Sequence, residues 1–234
     1  MEPSYDAFPE FLAQCPERLQ VVNESAGQEE LVKADQVRVN FYLEGGAKAY
    51  MTDIVRAFRL ARGAECYIEV GTRDKGNIAW LTEILSPTAK IIDVDLEQIV
   101  DARERLTAYL PAGFSYHAIE GDSVGFETIN AVHSALEGQL ADVIFLDSNH
   151  MYSHFSKEFS LYWQFLKPGG VMLVHDIFWE GNEYEKGKAQ AADRIDRYIP
   201  VYVVSMNDPL SRFYFQPPHR ESWGGVGIIL KDDV

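Results

Sequence analysis

From about residue 65 onward the chain alternates short apolar runs with amphipathic segments, and this alternation restricts its fold more than any other feature. Cys66–Val70, Ile91–Val94, Phe114–Ile119, Val143–Leu146 and Val171–Val174 read as strands. Most are apolar nearly throughout, as strands buried on both faces are. Between them, Ile78, Leu81 and Leu85 have helical spacing, and Ser86-Pro87 stops that segment. Ile99, Ala102, Leu106 and Leu110 mark a second helix, and Asp95 with Gln98 resembles a capping box before it. A third helix falls near 124–136. Phe155, Phe159, Tyr162 and Leu166 form the stripe of a fourth, ended by Lys167-Pro168-Gly169-Gly170. A helix near 188–198 precedes a strand at Val201–Ser205, and Val226–Leu230 closes the chain. No convincing helix separates these last two strands. The pattern predicts an α/β fold: a Rossmann-like, doubly wound sheet of seven strands, mostly parallel, with one antiparallel strand near the C-terminus.

Residues 1–46 fall outside the alternation and read as an N-terminal helical extension. Short helices near Pro9–Leu19 and Glu29–Val39 would serve as a lid or in association, so a homo-oligomer is one expectation. Residues 47–234 form a single domain, entered through a helix over Ala49–Arg62. The segments Ile177–Gly187 and Asn207–Gly225 are long and aromatic, as lids and substrate walls are, though packed structural loops read the same way. A net charge of −15 argues against nucleic-acid or anionic-membrane partners. No apolar stretch is long enough to cross a bilayer. The start lacks the basic and apolar regions of a secretion signal. Cys15 and Cys66 give neither a disulfide framework nor a zinc pattern, and Cys66 reads as a core residue. The expected location is the cytoplasm.

The chemistry-bearing residues gather where strands end. Asp147 ends the fourth strand, and His175 and Asp176 end the fifth. Adjacent strands lie about 4.8 Å apart, so these groups can hold a metal ion or a reacting hydroxyl at the carboxyl edge, where open α/β sheets bind ligands. After the first strand, Glu69-Val-Gly71-Thr72-Arg-Asp-Lys-Gly76 departs from the G-x-G-x-x-G spacing of a dinucleotide site. Glu69 would repel a pyrophosphate but suits a cationic ligand or ribose hydroxyls. Asp95 ends the second strand, where it can accept both ribose hydroxyls. Gly121-Asp122-Ser123 ends the third, where it can meet an adenine amino group. Together they describe a nucleoside site without phosphates. Plainer readings stand beside each: a tight turn at Gly71 and Gly76, helix or turn caps at Asp95, Asp122, Asp147 and Asp176, and a solvated His150. Asp93 reads as structural. His154, one turn after His150, could pair with it on a metal, but a surface role is the expectation.

These motifs resemble those of class I S-adenosylmethionine-dependent methyltransferases. Within that superfamily the chain resembles the small O-methyltransferases grouped with macrolide-sugar and rhamnosyl enzymes and cephalosporin-hydroxylase-like proteins, over roughly residues 65–176. The resemblance implies S-adenosylmethionine as cofactor, with Glu69, Gly71, Thr72 and Gly76 at its amino-acid part, Asp95 at the ribose, and Asp122 and Ser123 at the adenine. It implies Mg²⁺, or another divalent cation, at Asp147, His175 and Asp176, with His150 as the general base. Lys75 and Asn77 stand where the family's loop carries Gly and Ser, and His175 where some relatives carry Glu. The implied reaction is metal-assisted methylation of a hydroxyl on a small sugar or natural product. Alternatives are an NAD-dependent oxidoreductase, against which the glycine spacing and Glu69 argue, and a non-catalytic S-adenosylmethionine-binding protein.

Overall fold

The computed structural model describes residues 57–175, 212–215 and 226–231. Among these, seven strands form one sheet: β1 (Cys66–Val70), β2 (Lys90–Asp95), β3 (Ser115–Glu120), β4 (Ala141–Leu146), β5 (Leu166–His175), β6 (Arg212–Phe215) and β7 (Val226–Leu230). Their order is β3-β2-β1-β4-β5-β7-β6. Strands β1 to β5 pair in parallel, and β7 runs antiparallel to both β5 and β6. The single reversed strand predicted near the C-terminus is therefore β7.

Helices α1 (Gly76–Leu81), α2 (Val100–Tyr109), α3 (Phe126–Leu136) and α4 (Tyr152–Trp163) make the crossovers. The chain first steps outward from β1 to β2 and β3. It then returns through α3 to place β4 on the other side of β1. That reversal opens a crevice at the carboxyl edge between β1 and β4.

Both faces of the sheet are buried, which explains the apolar runs. Tyr67, Ile91, Val143, Phe145 and Leu173 face one core with Ile78 and Trp80 of α1, Leu106 of α2 and Phe58. Cys66, Ile68, Val70, Ile144 and Val174 face the other, with Val132 and Leu136 of α3 and Phe155, Phe159 and Tyr162 of α4. Phe58 stacks on Trp80 at 6.0 Å and meets Phe145 edge-on at 4.8 Å. Burying an aromatic of this kind stabilises the fold by about 1.5–3 kcal/mol, so the first face is pinned chiefly by this cluster.

Several boundaries differ from the sequence reading. Helix α1 ends at Leu81, and residues 83–85 continue as hydrogen-bonded turns rather than as helix. Asp95 does not cap α2, which starts after Ile99 without a side-chain cap; its Oδ1 accepts the Glu97 N–H at 3.3 Å instead. Lys167–Gly170 lie inside β5, not in a turn before it. The register shifts between Ala141 and Val143, and Gly169 takes φ +68°, so the run is a bulged entry into the strand. The aromatic segment 207–225, read as a loop, contains edge strand β6. The strand read at Val201–Ser205, the helix near 188–198 and residues 1–46 lie outside the described residues.

Candidate active site

The parallel register brings the ends of β1, β2, β3 and β4 to one level, and backbone bonds carry the pairing one residue beyond each strand. Gly71 donates its N–H to the Val94 carbonyl, Asp147 to Val70, and Gly121 to Asp95, each at 2.8 Å. Gly71 sits at φ +85°, and a Cβ there would lie 2.1 Å from the Asp147 carbonyl oxygen. Only glycine lets the β1 and β4 ends approach this closely.

A cavity of about 850 Å³ opens above these ends. Val70, Gly71 and Arg73 line it from β1, Val94 to Leu96 from β2, Gly121 to Ser123 from β3, and Asp147 to Met151, Ser153 and His154 from β4 and the start of α4. Of the residues singled out in the sequence, Gly71, Asp95, Asp122, Ser123, Asp147 and His150 line this one cavity. Glu69, Thr72 and Gly76 are buried behind its wall. Asp176 lies outside the described residues.

Behind the wall on the β1–β2 side is a polar knot. Asp93 is fully buried, and Lys75, equally buried, places Nζ 3.1 Å from both its carboxyl oxygens. Thr72 Oγ1 donates to Asp93 Oδ1 at 2.5 Å and accepts from Lys75 Nζ. Gln98 Nε2 and the Tyr116 hydroxyl also donate to Asp93. Desolvation by burial, followed by the nearby Asp93, pushes the Tyr116 hydroxyl up, so it stays a donor. Asp95 then accepts the Arg73 N–H at 2.6 Å, fixing the loop after Gly71 against the β2 end. The role of Lys75 was not legible in the sequence. It takes φ +65°, a conformation that favours glycine.

Glu69 accepts from the Tyr67 hydroxyl at 2.7 Å and from Asn77 Nδ2 at 3.1 Å. Burial pushes its carboxyl up to about 8, against the lowering effect of these two hydrogen bonds.

On the other side, Asp147 Oδ1 lies 3.0 Å from His175 Nδ1 and 3.9 Å from His150 Nε2. Burial pushes the Asp147 carboxyl up, but the two imidazoles, His175 foremost, outweigh it and hold the group well below the usual carboxylate range. The arrangement is an anion facing two rings that can carry protons. No three His, Cys, Asp or Glu among the described residues are grouped to hold a metal ion.

His154 is partly buried and hydrogen-bonded, where the sequence reading expected a surface role. It lines the cavity, with Nε2 3.0 Å from Ser123 Oγ. Glu158, one turn on and fully buried, accepts from both the Ser123 and Ser148 hydroxyls. The available signal was the i, i+4 spacing of His154 and Glu158 on the face that carries Phe155, Phe159 and Tyr162.

The family model described as rhamnosyl O-methyltransferase/CmcI matches residues 51–195. Solved structures share the fold. The O-methyltransferase TomG of Streptomyces achromogenes, involved in tomaymycin synthesis and solved with SAM, is 18% identical, with 88% of this chain and 91% of that chain covered and a TM-score of 0.55. An O-methyltransferase from Bacillus cereus, solved with SAH, is 14% identical over 94% of this chain and 100% of that one, with a TM-score of 0.58. The MycE methyltransferase of mycinamycin biosynthesis, solved with Mg and SAH, is 15% identical, with 88% of this chain and 56% of that chain covered and a TM-score of 0.52. No curated protein matches the chain in sequence.

Proposed function

The chain belongs to the rhamnosyl O-methyltransferase/CmcI family, and from that premise we propose that the cavity binds S-adenosylmethionine and transfers its methyl group to a hydroxyl of a small sugar or natural product. The protein is an S-adenosylmethionine-dependent methyltransferase; the acceptor class, the metal and the residue roles are the proposal. The observation that carries it is one cavity lined both by Gly71, Asp95, Asp122 and Ser123, which we read as a phosphate-free nucleoside wall, and by Asp147 and His150.

Asp95 holds the ribose hydroxyls, and Asp122 with Ser123 meets the base. Gly71 lets the methionyl end approach the backbone, with Glu69, Thr72 and Gly76 behind it. The acidic lining favours a sulfonium cation over a pyrophosphate. The acceptor oxygen attacks the methyl carbon, the carbon–sulfur bonding pair returns to sulfur, and the hydroxyl proton passes to His150. A proton on His150 Nε2 faces Asp147 at 3.9 Å, so the carboxylate stabilises the imidazolium that forms. Proton removal of this kind contributes roughly 10²–10⁴-fold to rate.

A divalent cation at the same edge is part of this reading, and the donor set fits it in part. Asp147 and His175 converge, and Asp176 would supply a third group. Bound there, the ion would lower the pKa of the acceptor hydroxyl. One oxygen and one nitrogen donor suit a transition ion better than Mg²⁺.

Calorimetry with S-adenosylhomocysteine tests the donor site, and transfer of labelled methyl to a panel of sugars and phenols tests the reaction, before and after chelation. Folded protein that takes up neither donor nor product refutes the reading. Turnover that survives chelation and is not raised by added Mg²⁺ or Mn²⁺ removes the metal from it.

A further inference from the structure

We propose that Glu158 is a positioning residue that locks three cavity-lining side chains into a wall selective for a 6-amino purine. The inference rests on the nucleoside-donor reading above.

Glu158 lies on α4, and none of its surface is exposed. Its Oε1 accepts the Ser123 hydroxyl, from the turn after β3, and the Ser148 hydroxyl, from the turn after β4. One buried oxygen thus ties two strand ends to one helix. Each serine has a single hydroxyl hydrogen, and both are committed to Glu158. Ser123 Oγ can then only accept from His154, so His154 Nε2, at 3.0 Å, must carry a hydrogen. The same nitrogen lies 3.7 Å from Glu158 Oε1 and 3.9 Å from Asp122 Oδ1. The imidazole is fixed by the hydrogen bond to Ser123, with the two carboxyl groups facing the same nitrogen from beyond hydrogen-bond distance.

The fixed orientation has a chemical consequence. Ser123, Ser148 and the Nε2 edge of His154 spend their hydrogens inside the protein. Asp122, half exposed beside them, offers an acceptor to the cavity. A wall in which these donors are committed and a carboxyl group accepts matches an exocyclic amino group and opposes a 6-oxo group in its place. Sites built on buried hydrogen-bonding groups reject mismatched analogues more strongly than apolar pockets do.

Stability alone would not select this acid. Glu158 Oε2 and the Tyr162 hydroxyl, one turn apart, are buried with no hydrogen-bond partner among the described residues. Such groups cost about 1–3 kcal/mol each.

The experiment is calorimetry on the full chain with S-adenosylhomocysteine and its 6-oxo counterpart, S-inosylhomocysteine, for wild type, Glu158→Gln and His154→Phe. Wild type should prefer the 6-amino compound by roughly 100-fold, and both variants should lose most of that preference, with S-adenosylhomocysteine affinity falling about tenfold or more. In turnover the loss should fall on the donor KM more than on kcat. Equal weakening of both compounds, or a preference retained in both variants, overturns the inference and leaves the donor reading standing. Wild type that binds neither compound overturns the donor reading and this inference with it. Should Glu158→Gln not fold, the partly exposed His154→Phe decides alone.

Discussion

The two sides of the cavity are built on opposite electrostatic plans. On the β1–β2 side, a carboxyl group meets a cation and neutral donors inside the protein: Asp93 is matched by Lys75, Thr72, Gln98 and Tyr116. On the β4–β5 side, the Asp147 carboxyl group faces two imidazoles among the described residues. The first plan fixes shape, because its charges are spent on one another. The second keeps a proton-accepting function, because an imidazole is neutral or charged according to what approaches it. Damage to the first side should therefore appear as lost folding and lost donor affinity together. Damage to the second should appear as lost turnover alone.

The most severe test of that contrast is Gly71→Val, where a Cβ would stand 2.1 Å from a backbone oxygen at positive φ. Donor affinity should fall at least about 100-fold together with the melting temperature; near-normal binding by calorimetry would show that the strand ends can part. Next comes Lys75→Met. It leaves Asp93 buried without its cation, at a cost of about 3–5 kcal/mol in denaturant unfolding. Adding Asp93→Asn should restore part of that loss; no recovery would mean that Lys75 acts through packing instead. On the other side, Asp147→Ala should lower turnover roughly 100-fold, with S-adenosylhomocysteine affinity within about threefold of wild type. A parallel loss of both would erase the distinction between the two sides.

The smallest effect is a slope with pH. The Glu69 carboxyl is pushed up to about 8 in the folded chain, by burial first, against an ordinary 4.5. Between those values the folded state keeps a proton that the unfolded state has released, so this group's contribution to stability falls as pH rises and levels off above 8. Glu69→Gln should remove that part of the slope in urea unfolding measured from pH 5 to 9. Identical slopes in the two proteins would place the Glu69 proton elsewhere.

What could be read from the residues divides along the same physical line. Strand interiors such as Cys66–Val70 and Val143–Leu146 are legible because burial on both faces demands an apolar run. Strand ends are legible because Asp95 and Asp147 interrupt such runs abruptly, and Gly121-Asp122 marks the turn after β3. The reversed final strand followed from the missing crossover helix. Side-chain partners beyond the ends are not legible. Lys75 and Asp93 are eighteen positions apart, and Ser123 and Glu158 thirty-five, and no local pattern marks either pair. Asp95 was half legible: a carboxylate after a strand looks the same whether it caps a helix or grips the Arg73 N–H. His154 was misread because its one local signal, the i, i+4 spacing to Glu158 on the apolar face of α4, does not tell that Ser123 faces it from another strand end.

The close approach at Gly71 also bears on how such a protein can change over time. With no room for even one carbon between the first and fourth strand tips, variation there is barred, whatever molecule is being modified. New acceptors must be accommodated by remodelling the cavity rim beyond the strand tips, while the hinge of the crevice stays as it is.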